Sequence, residues 1–119
     1  MIPEVFDPRK VVKSHLTSFR SLDISVAEGM VSTESCWVTP SGSHKLGNVA
    51  QLWRSVSEAW DYLPSAWSLT KMPNNIVHAD VSLTDGSRVK VVKADFELAG
   101  SEIASITVHD MRDPVKLNG

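Results

Sequence analysis

The chain has 119 residues, 42% of them hydrophobic and 22% charged, with a formal net charge of −2 at pH 7. These are values of an ordinary globular domain, long enough to bury roughly two-thirds of the surface its unfolded form exposes, and they exclude a disordered or fibrous class. Lys and Arg are scattered, which excludes a polyphosphate footprint and with it a nucleic-acid partner; no apolar run approaches the ~20 residues that span a bilayer, and Met1 to Lys10 lacks the apolar core of a signal peptide, so the expectation is a cytoplasmic protein with no membrane partner.

The first helix signal is Asp7 as a cap with Pro8 at the first helical position, followed by Val12, Leu16 and Phe19 at helical spacing through Leu22. Asp23 offers a second cap before Ile24, Val26, Ala27, Met30 and Val31, a short amphipathic helix ending near Ser32. From Ser35 the residues Cys36-Trp37-Val38-Thr39 form a strand of about five residues, closed by Pro40 and the turn-forming Ser41-Gly42-Ser43. Cys36 is the single cysteine, so no intrachain disulfide forms, and its place beside Trp37 predicts a buried, inert thiol.

Gly47 and Asn48 precede Val49, Leu52, Trp53, Val56 and Trp60, one broad face of a third helix that ends before Pro64. The period then becomes two. Trp67 and Leu69 mark a second strand, Val77, Ala79, Val81 and Leu83 a third, and Asp85-Gly86 a hairpin into a fourth, Arg88 to Leu98. Ala99-Gly100-Ser101 turns that strand into Ile103, Ala104, Ile106 and Val108. Helices followed by a run of strands predict an α+β class with the helices on one face of a mostly antiparallel sheet, in a single domain spanning 1–119 whose last residues, 112–119, form a flexible tail.

The order and spacing of these pieces resemble the nuclear transport factor 2-like superfamily, in its SnoaL-like and ketosteroid-isomerase-like branch. The carriers are the first helix with Leu22-Asp23, the strand Cys36-Trp37-Val38-Thr39-Pro40, Gly47 opening helix three, and Ala94-Asp95-Phe96-Glu97-Leu98-Ala99-Gly100 before Glu102-Ile103. The resemblance implies a cone-shaped roll in which a bent sheet, covered by three helices from the N-terminal half, holds an apolar pocket on its concave face. Its convex face commonly forms a dimer, so a homodimer through the outer sheet face is expected. Val89 and Val91 on the outer phase of the fourth strand agree with that.

In the family register Trp37, Thr39, Ala94, Phe96, Leu98, Ile106, Val108 and Asp110 point inward, and Trp53, Trp60 and Trp67 add aromatic wall; core packing explains the same apolar residues equally well. The implied partner is a small hydrophobic molecule, with no cofactor. Two polar residues are candidates for proton handling. His15 falls where the ketosteroid isomerases carry the tyrosine that donates to the developing oxyanion, and Asp110 where the SnoaL-like cyclases place an acidic acid/base residue. Against catalysis, Thr39 stands at the isomerases' proton-shuttling aspartate and Ala94 at their second donor, and no histidine occurs between Val89 and Leu98 to partner the cyclases' acid.

His78 and Asp80 share a strand face opposite the core phase, which predicts an outer-face pair, whereas strict alternation sends His109 to the face opposite Asp110. His15, His44, His78 and His109 show no metal-ligand spacing. Two functions remain open at this point: a non-catalytic pocket protein, and an acid/base enzyme of isomerase, cyclase or epoxide hydrolase type using Asp110 and His15.

Overall fold

The computed structural model describes residues 7–40, 42, 44–46, 49–112 and 114–116. Helix α1 spans Pro8–Arg20, with the Asp7 carboxylate accepting the Arg9 backbone N–H at 3.0 Å and Pro8 in its first turn. Its buried stripe is Val12, His15, Leu16 and Phe19. Each fully buried apolar side chain of that size contributes about 1.5–3 kcal/mol. The helix ends in a Schellman turn: Leu22 N–H donates to the Phe19 carbonyl at 2.9 Å and Asp23 N–H to the Ser18 carbonyl at 2.9 Å, with Leu22 left-handed at φ 57.

Helix α2 covers Ile24–Gly29 and is shorter than its apolar pattern suggests, because the chain from Val31 onward pairs with a strand. The Met30 carbonyl accepts the Ile103 N–H at 2.9 Å, so Val31 enters β1, which runs Val31–Val38 rather than starting at Ser35. Strand β2, His44–Leu46, folds back antiparallel on β1. Gly47 and Asn48, expected to open the third helix, lie outside the described residues.

Helix α3 spans Val49–Val56 and buries Val49, Leu52, Trp53 and Val56. It stops short of Trp60, which instead follows two other left-handed residues: Glu58 at φ 53, Ala59 at φ 61 and Trp60 at φ 73. The turn is held by polar groups. Ser57 Oγ accepts the Trp60 N–H at 2.9 Å, and the buried Lys90 ammonium donates to the Val56 carbonyl at 2.8 Å and to Glu58 Oε2 at 3.2 Å.

The remaining strands are β3 Leu63–Met72, β4 Ile76–Thr84, β5 Arg88–Ala99, β6 Glu102–Met111 and β7 Val115–Lys116. Together they form a mixed sheet in the order β2-β1-β6-β5-β4-β3, with β1 and β6 parallel and the two-residue β7 beside Val89 and Arg88 of β5. Within the segment expected to trail freely, Val115 and Lys116 are thus paired.

Directly opposed residues share a face, and one row on the helix-covered side reads Trp37, Ile106, Phe96, Val77. The matching outer row is Val38, Thr107, Asp95, His78. Register shifts bend this sheet. On β6 Ala104 is inserted opposite the Glu97–Leu98 step and His109 opposite the Lys93–Ala94 step, and on β3 Ser65 is inserted opposite the Leu83–Ser82 step. Each inserted residue sharpens the local twist, so the sheet curls around α1, α2 and α3. The architecture is the expected α+β cone.

Because Leu22 holds a conformation that favours glycine and leaves half its surface in solvent, Leu22→Gly should raise unfolding free energy by about 0.5–1 kcal/mol. Urea unfolding measures this directly. A lower midpoint at unchanged slope refutes the account of the turn.

Candidate ligand-binding site

The helix-covered face of the sheet is the concave one, and its centre is aromatic. Trp37 from β1, Trp53 from α3, Phe19 from α1 and Phe96 from β5 are all buried. Phe19 and Trp53 ring centres lie 5.0 Å apart, and Trp53 stacks on Phe96 at 6.1 Å. Ala94, Leu98, Ile106 and Val108 are buried on the same face. The rim holds the other sequence candidates. Thr39 is half-buried just beyond the end of β1, Trp60 packs edge-on against Phe19 at 5.8 Å, and Trp67 is half-buried with the Arg20 guanidinium 5.0 Å above its ring.

His15 is fully buried, and both of its ring nitrogens are used. Nδ1 lies 3.0 Å from the Ala27 carbonyl, which only accepts, so Nδ1 carries the proton; Nε2 then accepts the Trp53 indole N–H at 2.7 Å. One imidazole thus ties α1 to α2 and α3. Burial pushes its pKa down to about 4, against the bond to Ala27, which raises it. A proton on Nε2 would set two donors against each other. The N–H that the resemblance suggested for an oxyanion is committed to Ala27.

Asp110 does not share a face with His15. The bulge at His109 sets Asp110 opposite Lys93 on the outer face, where its carboxylate is half-exposed and lies 3.4 Å from the Arg112 guanidinium. The inward direction expected from period-two alternation is corrected by that one inserted residue. The same bulge corrects the expectation for His109, which joins Asp110 on the outer face. Cys36 is also displaced from its expected burial, being half-exposed beside Ser105 on that face.

The outer face carries a polar cluster only partly visible in the sequence. His78 Nδ1 donates to Asp95 Oδ1 at 2.7 Å and His109 Nε2 donates to Asp95 Oδ2 at 2.7 Å, while Asp80 Oδ1 lies 3.4 Å from His78 Nε2. Partial burial pushes Asp95 up, but the two imidazole bonds outweigh it and hold the carboxyl below its ordinary 3.8. His78 and Asp80 were paired from their spacing alone. Asp95 and His109 needed the cross-strand register. Among the described residues no group of three His, Cys, Asp or Glu is placed to hold a metal ion.

Two features of the concave side escaped the sequence reading. Lys90 alternates in phase with Val92, Ala94 and Phe96, so the pattern did contain its inward direction, although the partner carbonyl at Val56 was not legible. The other is Trp37. The residue is 8% exposed, and its indole N–H finds no acceptor among the described residues. The described surface grooves lie elsewhere, on the solvent side of α1; the larger, about 550 Å³, is lined by Lys10, Lys13, Ser14, Thr17, Ser18 and Met30.

Comparison with known proteins places this geometry. No protein-family model matches the chain, and no curated protein matches it. Solved structures do. A nuclear transport factor 2-like protein of unknown function from Cytophaga hutchinsonii aligns at TM-score 0.69 and 12% identity over 93% of this chain and 95% of its own. A second such protein, from Burkholderia xenovorans, aligns at 0.69 and 17% over 94% and 88%, and a protein from Pseudomonas putida provisionally named a polyketide cyclase at 0.70 and 12% over 89% and 92%. The chain has the nuclear transport factor 2-like fold. No helix among the described residues is long and apolar enough to cross a membrane.

The buried His15 makes stability depend on pH. Its folded pKa of about 4 lies below the ordinary 6.5, so the unfolded chain binds the proton more tightly. Stabilisation is complete above pH 6.5 and is lost as pH falls towards 4, by roughly 3 kcal/mol across the window. His15→Gln, whose amide can still bridge Ala27 and Trp53, should flatten that slope in urea titrations. An equal slope in wild type and variant assigns the pH dependence to another group.

Proposed function

We propose that this chain is a small-molecule-pocket protein of the SnoaL-like type that holds a small hydrophobic ligand against the concave face of its sheet. The observation that carries the reading is the convergence of Trp37, Trp53, Phe19 and Phe96 from four separate elements on one apolar surface under the helices. Sites for small molecules are concave and mostly apolar, with few polar groups. The likeness in fold to a protein provisionally named a polyketide cyclase supports the same class of ligand. Acid/base catalysis by His15 and Asp110 has no such support, since one is a saturated interior link and the other an outer-face carboxylate.

Native mass spectrometry of the purified protein, followed by a thermal-shift screen with apolar ketones, lactones and fused-ring aromatics, tests the reading. A ligand at about 100 times its Kd stabilises by roughly 2.7 kcal/mol. Asp110→Asn should retain the full shift while Phe96→Ala loses most of it. Silence across all classes removes the pocket reading.

The proposed partner is a second copy of the chain, docked through the outer face of β4, β5 and β6. There Ile76 is half-buried next to the His78, Asp95 and His109 cluster, and Val89 and Val91 are half-buried further along β5. Apolar residues on either side of a polar cluster suit an interface between copies. Sedimentation should find a dimer at micromolar concentration, and a monomer rejects it.

A further inference from the structure

We propose that the Trp37 indole N–H is the specificity-determining donor for the ligand, and that the ligand presents to it an uncharged oxygen acceptor. The proposal rests on the concave-face pocket and adds the chemistry of the contact. Buried indole N–H groups almost always find a partner. The protein obeys this at Trp53, whose N–H is taken by His15 at 2.7 Å. Trp37 departs from it. It stands on the concave row opposite Ile106, more than nine-tenths buried, with its N–H facing no acceptor among the described residues.

The buried polar groups among the described residues bear on what kind of acceptor belongs there. His15 is neutral and has no nitrogen to spare. Lys90, the one buried cation among the described residues, is already bound by the Val56 carbonyl and the Glu58 carboxylate. An anion brought beside Trp37 would lose its hydration, and neither His15 nor Lys90 is free to replace it. A ketone, ester or ether oxygen matches a single neutral donor and loses far less on leaving water. A hydrocarbon of the same shape leaves that donor unpaired, and one buried neutral hydrogen bond separates the two by about tenfold in affinity.

The test uses a matched pair, 1-tetralone and tetralin, whose skeletons differ in one carbonyl. Wild-type protein should bind the ketone about tenfold more tightly in calorimetric titration, and Trp37→Phe should bind both with the affinity wild type shows for tetralin. In ¹⁵N-correlated spectra of the wild type, the assigned Trp37 indole resonance should shift downfield on adding ketone and not on adding tetralin. That readout holds even where the variant fails to fold. Equal binding of the two compounds by wild type, an unmoved Trp37 resonance, or undiminished preference in Trp37→Phe overturns the donor assignment and leaves the pocket standing. Binding of neither compound overturns the donor assignment for this ligand class, and the broader screen then decides on the pocket itself.

Discussion

The bulged pairing of β5 with β6 gives the sheet its curl, and the placement of nearly every other group rests on it. Two inserted residues, Ala104 and His109, let ten residues of β6 track β5 while the sheet bends. Without the curl, the apolar sides of α1 and α3 would meet a flat surface too wide for them to cover. With it, the row from Trp37 to Val77 becomes the floor of a cone, and Phe19 and Trp53 come down on it from the helices. The insertion at His109 also reverses the facing of the residue after it. That is why His109 and Asp110 both stand outside, one beside Asp95 and the other opposite Lys93.

The interior shows how differently two indoles can be treated. The Trp53 N–H meets His15, whose second nitrogen meets Ala27, and the chain of three groups is closed. A closed buried network of this kind fixes the mutual placement of its elements, because any shift leaves a polar group unpaired in a medium where that is costly. Its dependence on a neutral imidazole is the source of its sensitivity to acid. Trp37 has no such arrangement, and the contrast within one core is what gives the second indole its interest.

Much of the architecture was legible from the chain. Asp7-Pro8 and the spacing of Val12, Leu16 and Phe19 specify α1, and the alternation in 77–83 specifies β4 and its buried side. The illegible parts have particular causes. Helix α2 yields its last residues to β1 because Met30 and Val31 bond to the distant Ile103, a partner local propensity cannot contain. Trp60 leaves α3 because Lys90, thirty positions on, holds a left-handed turn at Glu58. The Asp85-Gly86 signal located the hairpin correctly, yet Asp85 Oδ1 accepts the N–H groups of Ser87 and Arg88, and this wider loop sets Thr84 opposite Val89. A two-residue loop would have moved Asp95 off His78.

Periodicity and capping act within a few residues along the chain, and they are enough to specify the parts: an α+β class, the apolar faces, and the tryptophans and phenylalanines that end on the concave side. The fates of the polar groups were settled by assembly alone. His15 became a saturated link, Asp110 an outer carboxylate, His78, Asp95 and His109 one cluster, and Trp37 a buried donor without an acceptor among the described residues. Hydrogen bonding is short-ranged and directional, so a slip of one residue in strand register exchanges one partner for another. That register is a property of the assembled sheet.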